Sequence, residues 1–384
     1  MVEPVIGNFK DKVAIVGVGT TERWGPMPEL DIWAMAAQAL RNCLDDCGLK
    51  KEDIDGVVVG QGTGQPTPYD AMVERLGIYP RFTCDYRPGG RLFGPSVGLV
   101  ASLVYSGVSN YCAFIYTNNA RSWGRKFGGE GDEAGTNLMA RAYGMTSPGA
   151  YLAMDFNRYM HRFGMTERKL GAIAVAQRKH AGLHPMALMK DRPLSIDDYM
   201  NGRYVTYPLR VYDYCMINDG AVVFIMTTAE RARDLKKPPI YIIGLGERAG
   251  YSHYNFDTDF SYLPYRDTAD QIYKMAGVGT KDIDILYYYD AFSPFLLFML
   301  EGFGFCKVGE AGDFIQGGRI EIGGELPVNT SGGHLSEVYL QGRAILVEMV
   351  RQLRGECGAR QVKGAKIAQY MGASPNASSF ILRR

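Results

Sequence analysis

Part of this chain is written twice. Residues 47–57, CGLKKEDIDGV, align without a gap on residues 276–286, AGVGTKDIDIL. Upstream of each copy runs an apolar stretch, VAIVGVG at 13–19 and IYIIGLG at 240–246, at the same offset to within two residues. Both copies share one order: strand, glycine turn, amphipathic helix, glycine stop, acidic helix-start segment, strand. A repeated α/β unit of this kind buries its open faces against its own copy. The expected fold is therefore α/β, with duplicated βαβαβ halves spanning 1–235 and 236–384. A length of 384 residues suits two related domains better than one simple core.

The strands are expected at 13–19, 56–60 and 111–117 in the first half, and at 286–290 and 367–371 in the second. Between them, LDIWAMAAQALRNCLDDC (30–47) spaces Ile32, Met35, Ala36, Ala39, Leu40 and Cys43 as one helical face, and Gly48 stops the helix. Residues 118–205 break the pattern with Met, Arg, Gly and aromatic residues and a helical stretch at 151–164. An insertion of that size reads as a functional subdomain. A strand and helix at 219–232 and a charged joint, RARDLKKPP at 231–239, lead into the second half.

Composition excludes several classes. A net charge of +1 offers no basic surface to nucleic acid or anionic lipid. No apolar run reaches the roughly 18 residues of a membrane span, and the first residues, MVEPVIGNFKDK, are charged where a signal peptide is apolar. The seven cysteines are scattered, and Cys43 and Cys47 have no second pair to complete a zinc site. No metal is expected in the chain, and reduced thiols in the cytoplasm are. The 25 tyrosines point to a broad cavity or a large interface, where a ring with a polar tip is useful.

Two glycine loops correspond across the repeat, GGRLFG at 89–94 and GGHLSE at 332–337. Each is expected to open a helix after a strand. Gly89, Gly90, Gly332 and Gly333 then present free N–H groups to an oxyanion or thioester oxygen. A dinucleotide site is the rival, but GVGTTERWG after the first strand lacks the third glycine at its required spacing.

Longer runs carry a family resemblance: RYMHRFG (158–164), RPLSIDDYMNGRYVTYPLRVYDYCMINDGAVVF (192–224), YYDAFSP (288–294), LEGFGFCKVGEAGDF (300–314) and GGELPVNTSGGHLSEVYLQG (323–342). With them the chain resembles the thiolase superfamily over nearly its whole length. The nearer branch is that of the sterol-carrier-protein thiolases and lipid-transfer-protein relatives. The resemblance implies a layered α-β-α-β-α fold with a loop insertion, and an acyl-CoA substrate.

The departures from a thiolase decide the chemistry. The family's nucleophilic cysteine follows Gly89-Gly90, where this chain reads Arg91-Leu92-Phe93-Gly94. The Gly-His-Pro triplet of the second loop is here Val338-Tyr339-Leu340. The polar residue ahead of an acidic-small-Phe triplet is Tyr289, before Asp290-Ala291-Phe292, and a second cysteine gives way to about Tyr370. Without a thiolate, covalent acyl transfer has no nucleophile at the family position. Cys84 is the alternative nucleophile, although a cysteine inside a strand usually serves as a small core hydrophobe. His334 lies in a site loop, whereas His161, His180, His184 and His253 fall in the insertion or connecting segments.

Tyrosine, with a free pKa of about 10, serves proton transfer without a covalent step. The steroid side-chain-cleaving aldolases of the branch are similar in carrying tyrosine at both swapped positions. The resemblance thus implies retro-aldol cleavage of a bulky β-hydroxyacyl-CoA, with Tyr289, Tyr339, His334 and Asp290 as the catalytic set. A thiolase of an aroyl-succinyl-CoA using a relocated cysteine, and a non-catalytic acyl-CoA scaffold, are the alternatives. Relatives of this kind imply a homodimer through a sheet edge, for which YCAFIYTNN (111–119) is the expected strand. They also imply a small separate OB-fold and zinc-ribbon partner giving α2β2, with zinc only in that partner and no other cofactor.

Overall fold

The computed structural model describes residues 8–87, 90, 93–125, 142–145, 147–249, 259–260, 262–373 and 376–384. Eleven strands run along it: β1 (Val13–Thr20), β2 (Gly56–Gln61), β3 (Phe82–Tyr86), β4 (Cys112–Asn119), β5 (Tyr204–Thr206), β6 (Leu209–Arg210), β7 (Asp219–Thr228), β8 (Ile240–Arg248), β9 (Ile285–Tyr288), β10 (Ile367–Gly372) and β11 (Ala377–Arg383). Nine of them form one sheet in the order β3-β2-β4-β7-β1-β8-β11-β10-β9, and β5 and β6 make a separate hairpin.

The duplication is plain in the pairing. β2 lies parallel to β4, β4 antiparallel to β7, and β7 antiparallel to β1. In the second half β9 lies parallel to β10, β10 antiparallel to β11, and β11 antiparallel to β8. The halves meet at the centre, where β1 and β8 pair only at Ala14 with Tyr241 and Ile15 with Ile240. The helix Ile32–Cys47 covers β1, β4 and β7 from outside, and Tyr262–Ala276 covers β8 and β11. Phe93–Tyr105 and Arg343–Arg354 each touch strands of both halves and form the shared middle layer. This is the α-β-α-β-α layering.

The GxG pairs of the repeat have a packing role. A Cβ on Gly19 would stand 2.2 Å from the Ala39 carbonyl oxygen, and one on Gly244 would stand 2.8 Å from that of Ile272. Each glycine lets the outer helix lie directly on its strand, which is also why no dinucleotide turn is needed there.

One expectation is corrected. The stretch 111–119 is not an edge strand: β4 lies between β2 and β7, and the edge is β3. A continuous apolar run marks a strand buried on both faces and carries no sign of its place across the sheet. The strand expected at 367–371 is present as β10, and a further strand, β11, follows it antiparallel.

The insertion holds the helices Pro148–Phe163, Glu167–Gly182 and Ile196–Asn201 before the β5-β6 hairpin. Asp213 anchors its return. Its buried carboxylate accepts from the Tyr199 hydroxyl (2.9 Å) and the Arg210 N–H (2.7 Å), and burial pushes its pKa up to about 6. The Ser293 N–H donates to the Asp213 carbonyl (3.1 Å) and the Cys215 N–H to that of Ala291 (3.0 Å), which ties this segment to the residues beyond β9.

Candidate active site

The site is built where β9 ends. Asn329 takes a left-handed backbone (φ 47°) and turns its amide onto the main chain of Tyr288, accepting from its N–H (3.0 Å) and donating to its carbonyl (3.2 Å). The Tyr289 N–H donates to the Met371 carbonyl (2.9 Å). These bonds fix the first residues past the strand, so Tyr289 and Asp290 leave it in set directions.

Asp290 holds the second glycine loop. One of its oxygens accepts from the N–H groups of His334 (2.7 Å) and Leu335 (3.3 Å), and the other lies 3.0 Å from His334 Nδ1. His334 Nε2 accepts from the Gly342 N–H (2.9 Å), which places the ring proton on Nδ1, facing Asp290. The imidazole stands edge-on to the rings of both Tyr289 and Tyr339, with centroids 5.1 Å away in each case. Held between them, it sets the tyrosine hydroxyls 2.8 Å apart.

Gly90 closes the other side. A Cβ there would lie 2.4 Å from the Tyr289 hydroxyl, so only glycine lets the first loop come this near. Gly89, its neighbour, lies outside the described residues. Gly332 and Gly333 supply room rather than donors: the Gly332 N–H goes to the Asn329 carbonyl (2.9 Å) and that of Gly333 to the Ser331 hydroxyl (3.4 Å). The one-turn helix Gly333–Ser336 that they open has its next N–H groups on Asp290. The long helix corresponding to Phe93–Tyr105 begins only at Arg343.

The family described as Thiolase C-terminal domain-like matches residues 246–382. A 17-hydroxy-3-oxo-4-pregnene-20-carboxyl-CoA lyase of Mycobacterium tuberculosis is 36% identical over 90% of this chain and 92% of its own. The chain belongs to the thiolase superfamily. Within that superfamily, a steroid side-chain-cleaving aldolase of Thermomonospora curvata is 34% identical over 89% of this chain and 90% of its own. A solved Ltp2-ChsH2(DUF35) aldolase shares the fold with a TM-score of 0.90 and 31% identity, covering 98% of this chain and 99% of that one.

In this thiolase-superfamily chain, Tyr289 and Tyr339 keep 5% and 7% of their surface exposed, whereas Asp290 and His334 keep none. What little exposure the cluster has thus belongs to the two tyrosines, with Asp290 and His334 fully enclosed. Burial pushes the pKa of both tyrosines up; Tyr339 raises that of Tyr289 further, whereas the hydrogen bond with Tyr289 works the other way on Tyr339. Cys84 lies on β3, half-buried, and burial followed by the Asp85 charge raises its thiol pKa, which disfavours the thiolate.

Several neighbours, Tyr370 apart, carry no signal in the sequence. Cys215, in what reads as a connecting segment, stands close enough to bear electrostatically on both tyrosines. Gln341, with φ 51°, accepts from the Tyr116 hydroxyl (3.2 Å) through its side chain and also acts on Tyr339. Tyr370 is fully buried, and its hydroxyl has no partner among the described residues. Arg343, the first residue of the central helix, is fully buried as well. A polar residue after a glycine loop is the one hint the sequence offers of these.

The other histidines among the described residues lie away from the pair. His161 is exposed; buried His180 has Nδ1 3.2 Å from the Asn329 carbonyl and accepts from the Ile322 N–H (3.0 Å) at Nε2. His184 lies 3.6 Å from Glu337, and His253 is outside the described residues. Among the described residues no three metal-ligating side chains gather, and no helix is long and apolar enough to cross a membrane. An open surface cleft of about 500 Å3 between the helix Glu167–Gly182 and residues 315–321 shares no lining residue with the tyrosine pair.

Proposed function

We propose that this chain cleaves a carbon–carbon bond in a β-hydroxyacyl-CoA by a retro-aldol reaction, giving a ketone or aldehyde and a shorter acyl-CoA. The observation that carries this reading is the Tyr289–Tyr339 hydroxyl pair at 2.8 Å. One tyrosine oxygen takes the proton of the β-hydroxyl. The Cα–Cβ bond breaks, its electron pair passing to Cα as a thioester enolate, and the second tyrosine protonates Cα. The proton lost from oxygen is replaced on carbon, so no redox partner or covalent intermediate is required. Asp290 and His334 act as positioning residues for this pair. The names of the two aldolase relatives support a bulky, steroid-like acyl group.

The assembly we propose is a homodimer, each copy carrying one small partner of the DUF35 kind named in the related complex, an OB-fold with a zinc ribbon. The partner closes the acyl end of the site. Products formed from a panel of β-hydroxyacyl- and β-ketoacyl-CoAs, read by mass spectrometry, test the reaction. Retro-aldol cleavage releases a carbonyl product without consuming free CoA. Stoichiometric CoA consumption marks thiolysis and would displace this reading.

A further inference from the structure

The insertion meets the catalytic loop through the last two turns of the helix Glu167–Gly182. Gln177 Nε2 donates to the Tyr288 hydroxyl (3.1 Å) and Arg178 Nε to the Ser336 hydroxyl (3.0 Å). A Cβ on Gly332 would stand 2.7 Å from that of Ala181, so the helix lies directly on the second glycine loop. His180 sits among these contacts and is 1% exposed. Its Nε2 accepts from the Ile322 N–H (3.0 Å), so the neutral ring carries its proton on Nδ1. Nδ1 lies 3.2 Å from the Asn329 carbonyl oxygen and donates to it. Burial, the largest influence on this imidazole, pushes its pKa down and keeps the ring neutral.

Asn329 is the residue on which the geometry of the site turns. Its left-handed backbone, φ 47° without the freedom of glycine, persists only where the surroundings over-determine it. The Asn329 N–H donates to the Leu286 carbonyl (3.0 Å), and its own carbonyl accepts from the Gly332 N–H (2.9 Å). Its amide occupies both main-chain groups of Tyr288, at 3.0 and 3.2 Å. All these bonds come from the second half of the chain. Among the described residues, His180 alone reaches Asn329 from the insertion, and it gives the carbonyl oxygen a second donor. Two donors on one oxygen fix the plane of the peptide that follows Asn329, and with it the turn whose amide grips Tyr288.

We propose that His180 is a positioning residue for the Tyr289–Tyr339 pair: by holding the Asn329 carbonyl it fixes the turn that clamps Tyr288, and so the direction in which Tyr289 and Asp290 leave β9. For the chemical step it serves, this rests on the retro-aldol reading above. The imidazole is enclosed and acts through Asn329 and Tyr288, so it bears on turnover and not on the binding of the acyl-CoA. Its two contacts can be separated by substitution. Asparagine places an N–H near the position of Nδ1 and no acceptor near that of Nε2. Glutamine reaches the Nε2 position with its carbonyl oxygen and leaves the Asn329 carbonyl without this donor. A histidine with a merely structural role, holding Ile322, would be replaced well by glutamine.

The test uses the chain together with its co-purified partner. In H180A, kcat for a β-hydroxyacyl-CoA should fall about 10–100-fold, the cost of a misplaced catalytic group, with KM within about twofold of the unsubstituted value. H180N should recover most of kcat, and H180Q should not. Hydrogen exchange read by mass spectrometry needs no turnover. Amides at 286–290 and 329–335 should exchange faster in H180A and H180Q than in H180N, with β1 and β7 unchanged in all three. Recovery by H180Q equal to that by H180N, a loss expressed in KM alone, or the same exchange at 286–290 in every form overturns the proposal. Should H180A not fold, as judged by circular dichroism, H180N against H180Q decides alone. An unsubstituted complex that releases no carbonyl product from the β-hydroxyacyl-CoA panel would instead bring down the retro-aldol reading, and the exchange comparison would still decide whether His180 holds the loop.

Discussion

Removal of one oxygen from either member of the tyrosine pair is the sharpest perturbation available at the residue scale. Y289F and Y339F each delete a proton-transfer group while keeping the ring that packs on His334. Each should lower turnover roughly 10²–10⁴-fold, the usual contribution of a general acid or base, with the melting temperature little changed. Steady-state rates beside thermal unfolding check this, and near-normal rates in both variants would remove the pair from the mechanism. Glu337, behind the loop, gives a different signature. Its carboxyl is buried, lies 3.6 Å from His184 Nε2, and has one oxygen without a partner among the described residues. Burial pushes its pKa from 4.5 up to about 8, while burial, with Arg360, pushes that of His184 down to about 4. Between those two carboxyl values the folded state keeps a proton that the unfolded chain has released. Glu337 therefore contributes its full stability below about pH 4.5, and that contribution is lost as the pH rises through about 8. Melting curves from pH 5 to 9 should fall for the unsubstituted protein and flatten for E337Q; parallel curves would show that Glu337 does not carry the proton.

At the scale of elements, the repeat reaches down to single hydrogen bonds. In each half the second aspartate of the DID segment stands just ahead of a strand and binds the start of the strand beside it. Asp55 accepts from the N–H groups of Asn110 (2.8 Å) and Tyr111 (3.0 Å) and from the Ser109 hydroxyl (2.7 Å), at the entry to β4. Asp284 accepts from the N–H groups of Lys366 (2.8 Å) and Ile367 (2.9 Å), at the entry to β10. D55A should cost about 1–3 kcal/mol, the loss expected when such donors go unmatched, and D284A should cost less because it frees fewer of them. Chemical denaturation measures both; a larger loss from D284A would break the correspondence. The same symmetry explains what the sequence made legible. The glycine stops, the DID segments and the GxG runs are local features with a local geometry, so their order predicted most strands and helices of both halves, though not β11 or the late start of the helix Arg343–Arg354. Tyr289 and Tyr339 were legible because the runs around them retain the family pattern. Arg343, Gln341, Tyr116 and Cys215 were not. They come from separate elements, and only the packing of the two halves brings them together. The edge position of β3 escaped for a similar reason, since position across a sheet is a property of the neighbours rather than of the strand.

For the molecule as a whole, the proposed assembly makes the active unit larger than one chain. Sedimentation of the purified complex should give two copies of this chain and two of the partner, and elemental analysis one zinc per partner. The chain purified alone should have little activity; full activity without the partner would show that the site is complete in itself. A proline at Thr83, in the middle of β3, removes an N–H from the outermost strand and should convert the pair of chains into single ones. The opposite end of the sheet behaves differently. The far side of β9 is already bonded: the Leu286 N–H donates to the Pro327 carbonyl (2.9 Å), the Leu286 carbonyl accepts from Asn329 (3.0 Å), and the Asn329 amide occupies both main-chain groups of Tyr288. The loop that fixes the tyrosines thus also seals that end. In the proposed dimer a sheet sealed at β9 has only β3 left to pair through, so edge-to-edge association would stop at two copies and no fibre would propagate through it.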